Sequence, residues 1–173
     1  MEIGVVNMYN SVYKCRYLTN ALESLGFKAH LVDGYHFPGD VYRCVKRSPI
    51  THWIFSGSDT SVTESSSPLL SLELLKLPKR LMFICYSMES ILLALGNPIK
   101  KRYENRKELI TLGKLKVRRN HRWYFSSVKP PVKVLASYNG EVMLASYKNA
   151  LLFQYHPEKS PDGKRQIMDW IKS

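Results

Sequence analysis

The sequence predicts an α/β protein: an open, mostly parallel sheet flanked by helices, passing into a β-rich C-terminal part. Three observations carry this reading. Short apolar strand candidates alternate with helical patterns through the first half of the chain. Two of those patterns repeat apolar residues at i, i+3, i+4 and i+7, and from about residue 112 onward short β-rich runs separated by turn residues take over. Strands alternating with helices imply right-handed crossovers that cover both faces of a parallel sheet. A chain of 173 residues, 45% hydrophobic, suits one domain built on one sizeable core, taken here as residues 1–173.

The elements follow in order. "IGVV" near the N-terminus is a short buried-strand candidate, and after the polar turn "NMYNS" the residues Leu18, Ala21, Leu22 and Leu25 mark one face of a helix that Gly26 ends. "KAHLV" reads as a strand, "GDVYRCVKRS" as a short helix and "THWIF" as a strand running into the Ser/Thr-rich loop "SGSDTSVTESSSP". A third unit has "PLLSLELLKL" as a helix, "RLMFI" as a continuous apolar strand, and a helix with Met88, Ile91, Leu92 and Leu95 on one face, closed by Gly96 and Pro98. Then come "KLKV", "VKVLAS", "VMLASY" and "ALLFQY", separated by Pro-Pro, Asn-Gly and Lys-Asn turns, of which Asn139-Gly140 is a strong hairpin signal. A last helix carries Ile167, Trp170 and Ile171 on one face.

Composition narrows the setting. No run of about 18 apolar residues is present, and "MEIGVVNMYN" lacks the basic-then-apolar pattern of a secretory signal, so neither a membrane span nor a leader is expected. Cys15, Cys44 and Cys85 are scattered, with no CxxC pair and no zinc-type histidine spacing, which points to free thiols in a reducing, cytoplasmic setting without a metal or other cofactor. Lys plus Arg outnumber Asp plus Glu 26 to 14, a formal charge of +12 that attracts acidic partners. Much of it lies in "KKRYENRK" (100–107) and "KLKVRRNHR" (114–122), beside Tyr103 and Trp123. A nucleic-acid groove has this texture, but no nucleic-acid motif accompanies it, so a solvated basic face or a docking surface for an acidic subunit is preferred.

Cys85 ends the apolar run "LMFI" where the next helix begins. A residue at that turn stands beyond the carboxyl edge of the sheet, where open α/β folds place ligands, and the helix's first N–H groups favour thiolate and can help bind an oxyanion. A lone cysteine is more often a small buried hydrophobe. His156 and Glu158, in "LLFQYHPEKS" after a late strand, change the balance: a thiol nucleophile needs an imidazole to move its proton, and the imidazole needs a carboxylate to fix its tautomer. His30, His36 and His52 are read as structural or exposed, and Cys15 and Cys44 as packing residues.

With these motifs in place the chain resembles the class I glutamine amidotransferases, whose domains carry an elbow G-x-C-x-G-x-Q and a late H-P-E. The resemblance spans nearly the whole chain. "IGVVNMYN" with "LTNALESLGFKAHLV" is similar to that family's first βαβ unit, "WIFSGS" to its oxyanion-loop segment, "FICYSMES" to its elbow, and "NHRWYF" with "VKVLASYNGEVMLASYKNALLFQYHPE" to the strands leading to its histidine. It implies a flavodoxin-like fold, Cys85 as nucleophile, His156 as general base and acid, Glu158 as the orienting carboxylate, and Gly57 with the Tyr86 N–H lining the oxyanion hole. His121 falls where relatives often carry a histidine near the active-site rim. The reaction implied is release of ammonia from glutamine through a γ-glutamyl thioester, with the ammonia passed to a separate synthase or acceptor subunit.

Four positions depart from the family pattern. Phe83 replaces a glycine and is expected either to pack into a helical layer or to project into substrate space. Ser87 replaces a glycine, a modest steric change. Glu89 replaces a glutamine that helps hold substrate; an ionised carboxylate cannot donate hydrogen bonds, and it opposes thiolate formation unless it points away or pairs with a base. Ser58 replaces the second glycine of the oxyanion loop and is expected to restrict positive φ there. Three functions stay open: a glutamine amidohydrolase, a hydrolase of γ-glutamyl amides or peptides, and a binding or regulatory module that uses the basic surface.

Overall fold

A computed structural model describes residues 1–173 except the side chain of Arg106, so that member of the first basic cluster lies outside the described residues. The elements are β1 (Glu2–Asn7), α1 (Val12–Ser24), β2 (Lys28–Asp33), α2 (Pro38–Arg47), β3 (His52–Phe55), β4 (Arg80–Ile84), α3 (Tyr86–Ala94), β5 (Lys100–Leu112), β6 (Leu115–Tyr124), β7 (Lys133–Tyr138), β8 (Glu141–Tyr147), β9 (Ala150–Phe153) and α4 (Pro161–Lys172). Seven strands form one sheet in the order β2-β1-β3-β4-β9-β8-β7. It is parallel from β2 to β9 and antiparallel from β9 through β8 to β7, while β5 and β6 form a separate antiparallel ribbon.

Alternation along the central strands divides the core in two. Trp53, Phe55, Leu81 and Phe83 point to one face, where α2 and α3 pack. Ile54, Met82 and Ile84 point to the other, where they meet α1, α4 and the ribbon residues Ile110, Leu112 and Val117. Helix starts follow local chemistry: the Ser11 hydroxyl accepts from the Tyr13 N–H at 3.3 Å, and Ser160 accepts from Gly163 N–H at 3.1 Å with Pro161 in the first turn. Asn139 and Gly140 both have positive φ in the β7–β8 turn, as the Asn-Gly signal requires. No described helix is long and apolar enough to cross a membrane.

Two expectations fail locally. "PLLSLELLKL" forms only a 3₁₀ turn, Leu72–Lys76, although Leu70, Leu74, Leu75 and Leu77 are all buried; Pro68 and Pro78 bracket the segment and leave no room for a full helix. The stretch 100–107, read as a charged cluster, is the first half of β5 and pairs with β6 across a turn at Gly113. Of the two aromatics beside these clusters, Trp123 is covered by Lys101, whose Nζ sits 5.3 Å from the ring centre, while Tyr103 is almost fully exposed.

Gly4 of β1 lies opposite Trp53, and a Cβ there would approach the indole to 2.3 Å. Gly4→Ala is expected to cost about 1–3 kcal/mol through overpacking. Thermal unfolding of the variant checks this, and an unchanged midpoint would contradict it.

Candidate active site

Strand β4 delivers Cys85 to the sheet edge and α3 starts at the next residue. Cys85 has φ 49° and ψ −107°, one of three described non-glycine residues with positive φ, and so sits on a strained turn. The turn is pinned by the Cys85 N–H, which donates to the Phe153 carbonyl at 2.6 Å. Phe153 ends β9, whose parallel register with β4 sets Ile84 beside Phe153. His156 follows three residues later. Two segments far apart in sequence therefore meet beyond one sheet edge because their strands are neighbours.

His156 and Glu158 are both buried, and imidazole Nδ1 lies 2.8 Å from Glu158 Oε1. An ionised carboxylate only accepts, so Nδ1 carries a proton and donates it to Glu158. Burial alone would raise Glu158, but the adjacent His156 outweighs it and holds the carboxyl below its usual range. Gly57, in the loop after β3, explains the fit: a Cβ there would come within 2.9 Å of His156 Cε1, 3.0 Å of the Tyr9 hydroxyl and 3.6 Å of Cys85 Cβ. The imidazole, the thiol-bearing carbon and the Tyr9 phenol all border this residue. Neither Gly57 nor Ser58 has positive φ, so what constrains this loop is space, and the side chain of Ser58 carries no strain of the expected kind. Its hydroxyl instead lies 2.9 Å from that of Thr60.

Cys85 is 6% exposed. Its partners among the described residues are the Asn120 carbonyl, to which it donates at 3.7 Å, and the Gln154 amide N–H at 4.0 Å; the imidazole is not one of them. Burial pushes the thiol well above its usual value and Glu89 adds to this, while the Tyr86 N–H acts the other way. The thiol is thus held protonated, with its hydrogen bond directed at the Asn120 carbonyl and not at the imidazole.

Around the thiol lies a cleft of about 340 Å³, lined by Ser58, Tyr86, Glu89 and His121 among others, with Lys107 and Arg122 contributed by the ribbon. Phe83 is absent from this lining: it is fully buried and stacks on Phe55 with ring centres 4.5 Å apart, which settles its two readings in favour of packing. Ser87 proves more than a steric change, because its hydroxyl donates to the Ser56 carbonyl at 2.6 Å and ties α3 to the loop bearing Gly57. Glu89 neither points away nor pairs with a base; Oε1 accepts from Gln154 Nε2 at 2.9 Å, and burial raises the carboxyl to about 7 despite that bond.

His121 is not at a rim. It is buried on β6, its Nε2 2.9 Å from Glu141 Oε2, and burial with the neighbouring Arg102 and Arg119 lowers it to about 3, so the ring is neutral. Tyr9, Asn120 and Gln154 were not singled out by the sequence. For Gln154 a signal existed in its place, directly after the apolar run "ALLF" and two residues before His156, although it lies on a bend just past β9.

Comparison with known proteins then places the chain among relatives. A family profile described as glutamine amidotransferase class-I matches residues 5–169. A protein assigned as a GMP synthase subunit from Thermoplasma acidophilum shares 16% identity over 99% of this chain and 92% of its own, with TM-score 0.76. PurLQS from Thermotoga maritima shares 15% over 99% of this chain and 98% of its own, at TM-score 0.72. A glutamine amidotransferase from Thermotoga maritima shares 12% over 98% of this chain and 82% of its own, at TM-score 0.63. Comparison with curated proteins gives no match. These likenesses agree with the mostly parallel, flavodoxin-like sheet.

Glu89 yields a pH test. The folded protein holds its carboxyl near 7 against an ordinary 4.5, so between those values the folded form binds more protons than the unfolded chain and stability falls as pH rises. Glu89→Gln removes that cost. The expected gain is on the order of 3 kcal/mol at pH 8, vanishing below about pH 4. Urea unfolding across pH checks it, and a pH-independent difference would contradict it.

Proposed function

The chain belongs to the class I glutamine amidotransferase family, and from that membership we propose that it hydrolyses the side-chain amide of glutamine, with Cys85 as nucleophile, His156 as general base and acid, and Glu158 as the carboxylate that orients the ring. The observation that carries this reading is the meeting at Gly57 of a cysteine on a positive-φ elbow and a histidine whose Nδ1–H is committed to a buried carboxylate. Sγ leaves the Asn120 carbonyl, gives its proton to His156 Nε2 and attacks the amide carbon. The developing oxyanion is met by the N–H of Tyr86 and by the loop at Gly57 and Ser58. The imidazolium then protonates the departing nitrogen, which leaves as ammonia, and a γ-glutamyl thioester remains. Water, deprotonated by His156, attacks the thioester, releases glutamate and restores the thiol.

The ammonia goes to a separate synthase-type partner chain. That partner is suggested by the names of two structural neighbours, PurLQS and a GMP synthase subunit, and an acidic docking face on it would complement the +12 charge. A second reading, hydrolysis of γ-glutamyl amides or peptides without ammonia transfer, is favoured by Glu89 on the cleft wall, since a carboxylate there alters which substrates are held.

Ammonia release from glutamine is expected for the wild-type chain and is expected to drop roughly a thousandfold or more in Cys85→Ala. Mass analysis after an electrophilic glutamine analogue should find the label on Cys85. Undiminished release by the variant, or a label elsewhere, removes this assignment. Turnover of γ-glutamyl amides well above that of glutamine would select the second reading.

A further inference from the structure

Another pocket, of about 460 Å³, shares no lining residue with the Cys85 cleft and yet reaches the triad at Glu158. Three elements bring cations to it. Arg118 comes from β6, where its carbonyl accepts the His156 N–H at 2.8 Å; Lys159 directly follows Glu158; Lys164 stands in the first turn of α4. The Tyr17 phenol and the Ser160 hydroxyl border the same space, and Lys159 Nζ lies 5.4 Å from the Tyr17 ring centre. None of the three cations has an ion-pair partner among the described residues. Glu158 is the one acid of the lining, and its carboxylate is committed to His156. Asp162, the acid in the first turn of α4, is taken by the Lys116 N–H at 2.8 Å and by Arg165. Three positive charges against one carboxylate leave two in excess. Lys164 sharpens the point, because a cation in the first turn opposes the positive end of the helix dipole, whereas an anion there is favoured. The group that completes such a pocket carries about two negative charges and several acceptor oxygens on one centre, which describes a phosphate.

We propose that this pocket binds a phosphate dianion, free or as the monoester of a small molecule, and that its occupation slows chemistry at Cys85. The Arg118 fork suits two phosphate oxygens at once, Lys159 and Lys164 supply point charges, and the Tyr17 and Ser160 hydroxyls are further donors. A single carboxylate matches only half of the charge excess and offers its oxygens in one plane. Lys159 is the link to the thiol. Burial and Glu89 keep Cys85 high while Lys159 acts the other way, and Lys159 also joins His156 in lowering Glu158 against burial. A dianion beside Lys159 cancels that field, so thiolate becomes harder to form. The effect on chemistry rests on the hydrolytic reading above; the binding does not.

Calorimetric titration of the full chain with inorganic phosphate, phenyl phosphate and malonate, at one ionic strength set with sodium chloride, tests the site. Both phosphates are expected to bind saturably, and malonate roughly 10-fold or more weakly. Lys164→Gln and Arg118→Gln should each weaken phosphate by roughly 10-fold or more, and Lys164→Arg should hold it within about threefold. Tighter binding of the phenyl ester assigns the pocket to monoesters, and tighter binding of inorganic phosphate assigns it to the free ion. Non-saturable uptake of phosphate, equal affinity for malonate, or binding that survives both glutamine substitutions overturns the site. Ammonia release at saturating glutamine is followed in parallel. It should fall as phosphate rises, with kcat lowered, KM little changed and the half-effect at the binding constant. Lys164→Gln should match the wild type without phosphate and escape the inhibition. Saturable binding that leaves ammonia release untouched overturns the link to Cys85 and leaves both the site and the hydrolytic reading standing. Saturable binding to a chain that releases no ammonia supports the site and removes the hydrolytic reading together with that link.

Discussion

Parallel pairing of β4 with β9 is the constraint on which the site depends. It joins strands separated by residues 85–149, and closing so long a loop costs entropy that the two cores must offset. With Ile84 set beside Phe153, the residues that follow on each strand emerge side by side. A register slip of one residue would send every side chain of β9 to the opposite face and carry His156 away from Gly57. The hydrogen bond from Cys85 N–H to the Phe153 carbonyl locks that register at the point where it matters for chemistry.

The elbow stores strain and its surroundings hold it. A non-glycine residue at positive φ costs on the order of 1–3 kcal/mol. Cys85 stays there because both of its flanks are fixed: Phe83 and Ile84 are sealed in the two cores, and Ser87 ties the first turn of α3 to Ser56. Ser56 in turn accepts from the Met8 N–H at 2.8 Å, so the ends of β1, β3 and β4 are bound into one polar seam beneath the cleft. Departures from the family pattern at positions 83 and 87 therefore act on the scaffold that supports the elbow, whereas the departure at 89 faces the cleft.

The alternation of strands and helices was legible because buried parallel strands are short apolar runs and amphipathic helices repeat with their own period. What escaped was decided by tertiary context. The first half of β5 is nearly all charged or polar and shows no two-residue alternation; its partner across Gly113 makes it a strand, and nothing within 100–107 announces that. "PLLSLELLKL" looks helical because it is rich in leucine, and Leu70, Leu74, Leu75 and Leu77 are indeed buried, but burial does not require a helix, and the bracketing prolines prevailed. At the site, Cys85, His156 and Glu158 could be named from the residues and a resemblance. Local sequence could not foretell that the Asn120 carbonyl would accept the thiol's hydrogen bond, because this contact joins the sheet edge to the ribbon across 35 positions.

Net charge and cleft polarity answer to different physics. The +12 field acts over a Debye length of about 8 Å and is largely screened beyond it, so it governs encounter with acidic surfaces and says little about a group shielded from solvent. Glu89 shows which influence prevails near the thiol. Lys107 and Arg122 line the same cleft, yet burial dominates and the carboxyl is held near 7. Exposed cations give most of their field to water, while a carboxylate beneath them bears the full cost of leaving it. A carboxyl held this high carries a proton part of the time at neutral pH, and in that form it no longer opposes ionisation of the thiol and can donate a hydrogen bond, as the glutamine of the family pattern does.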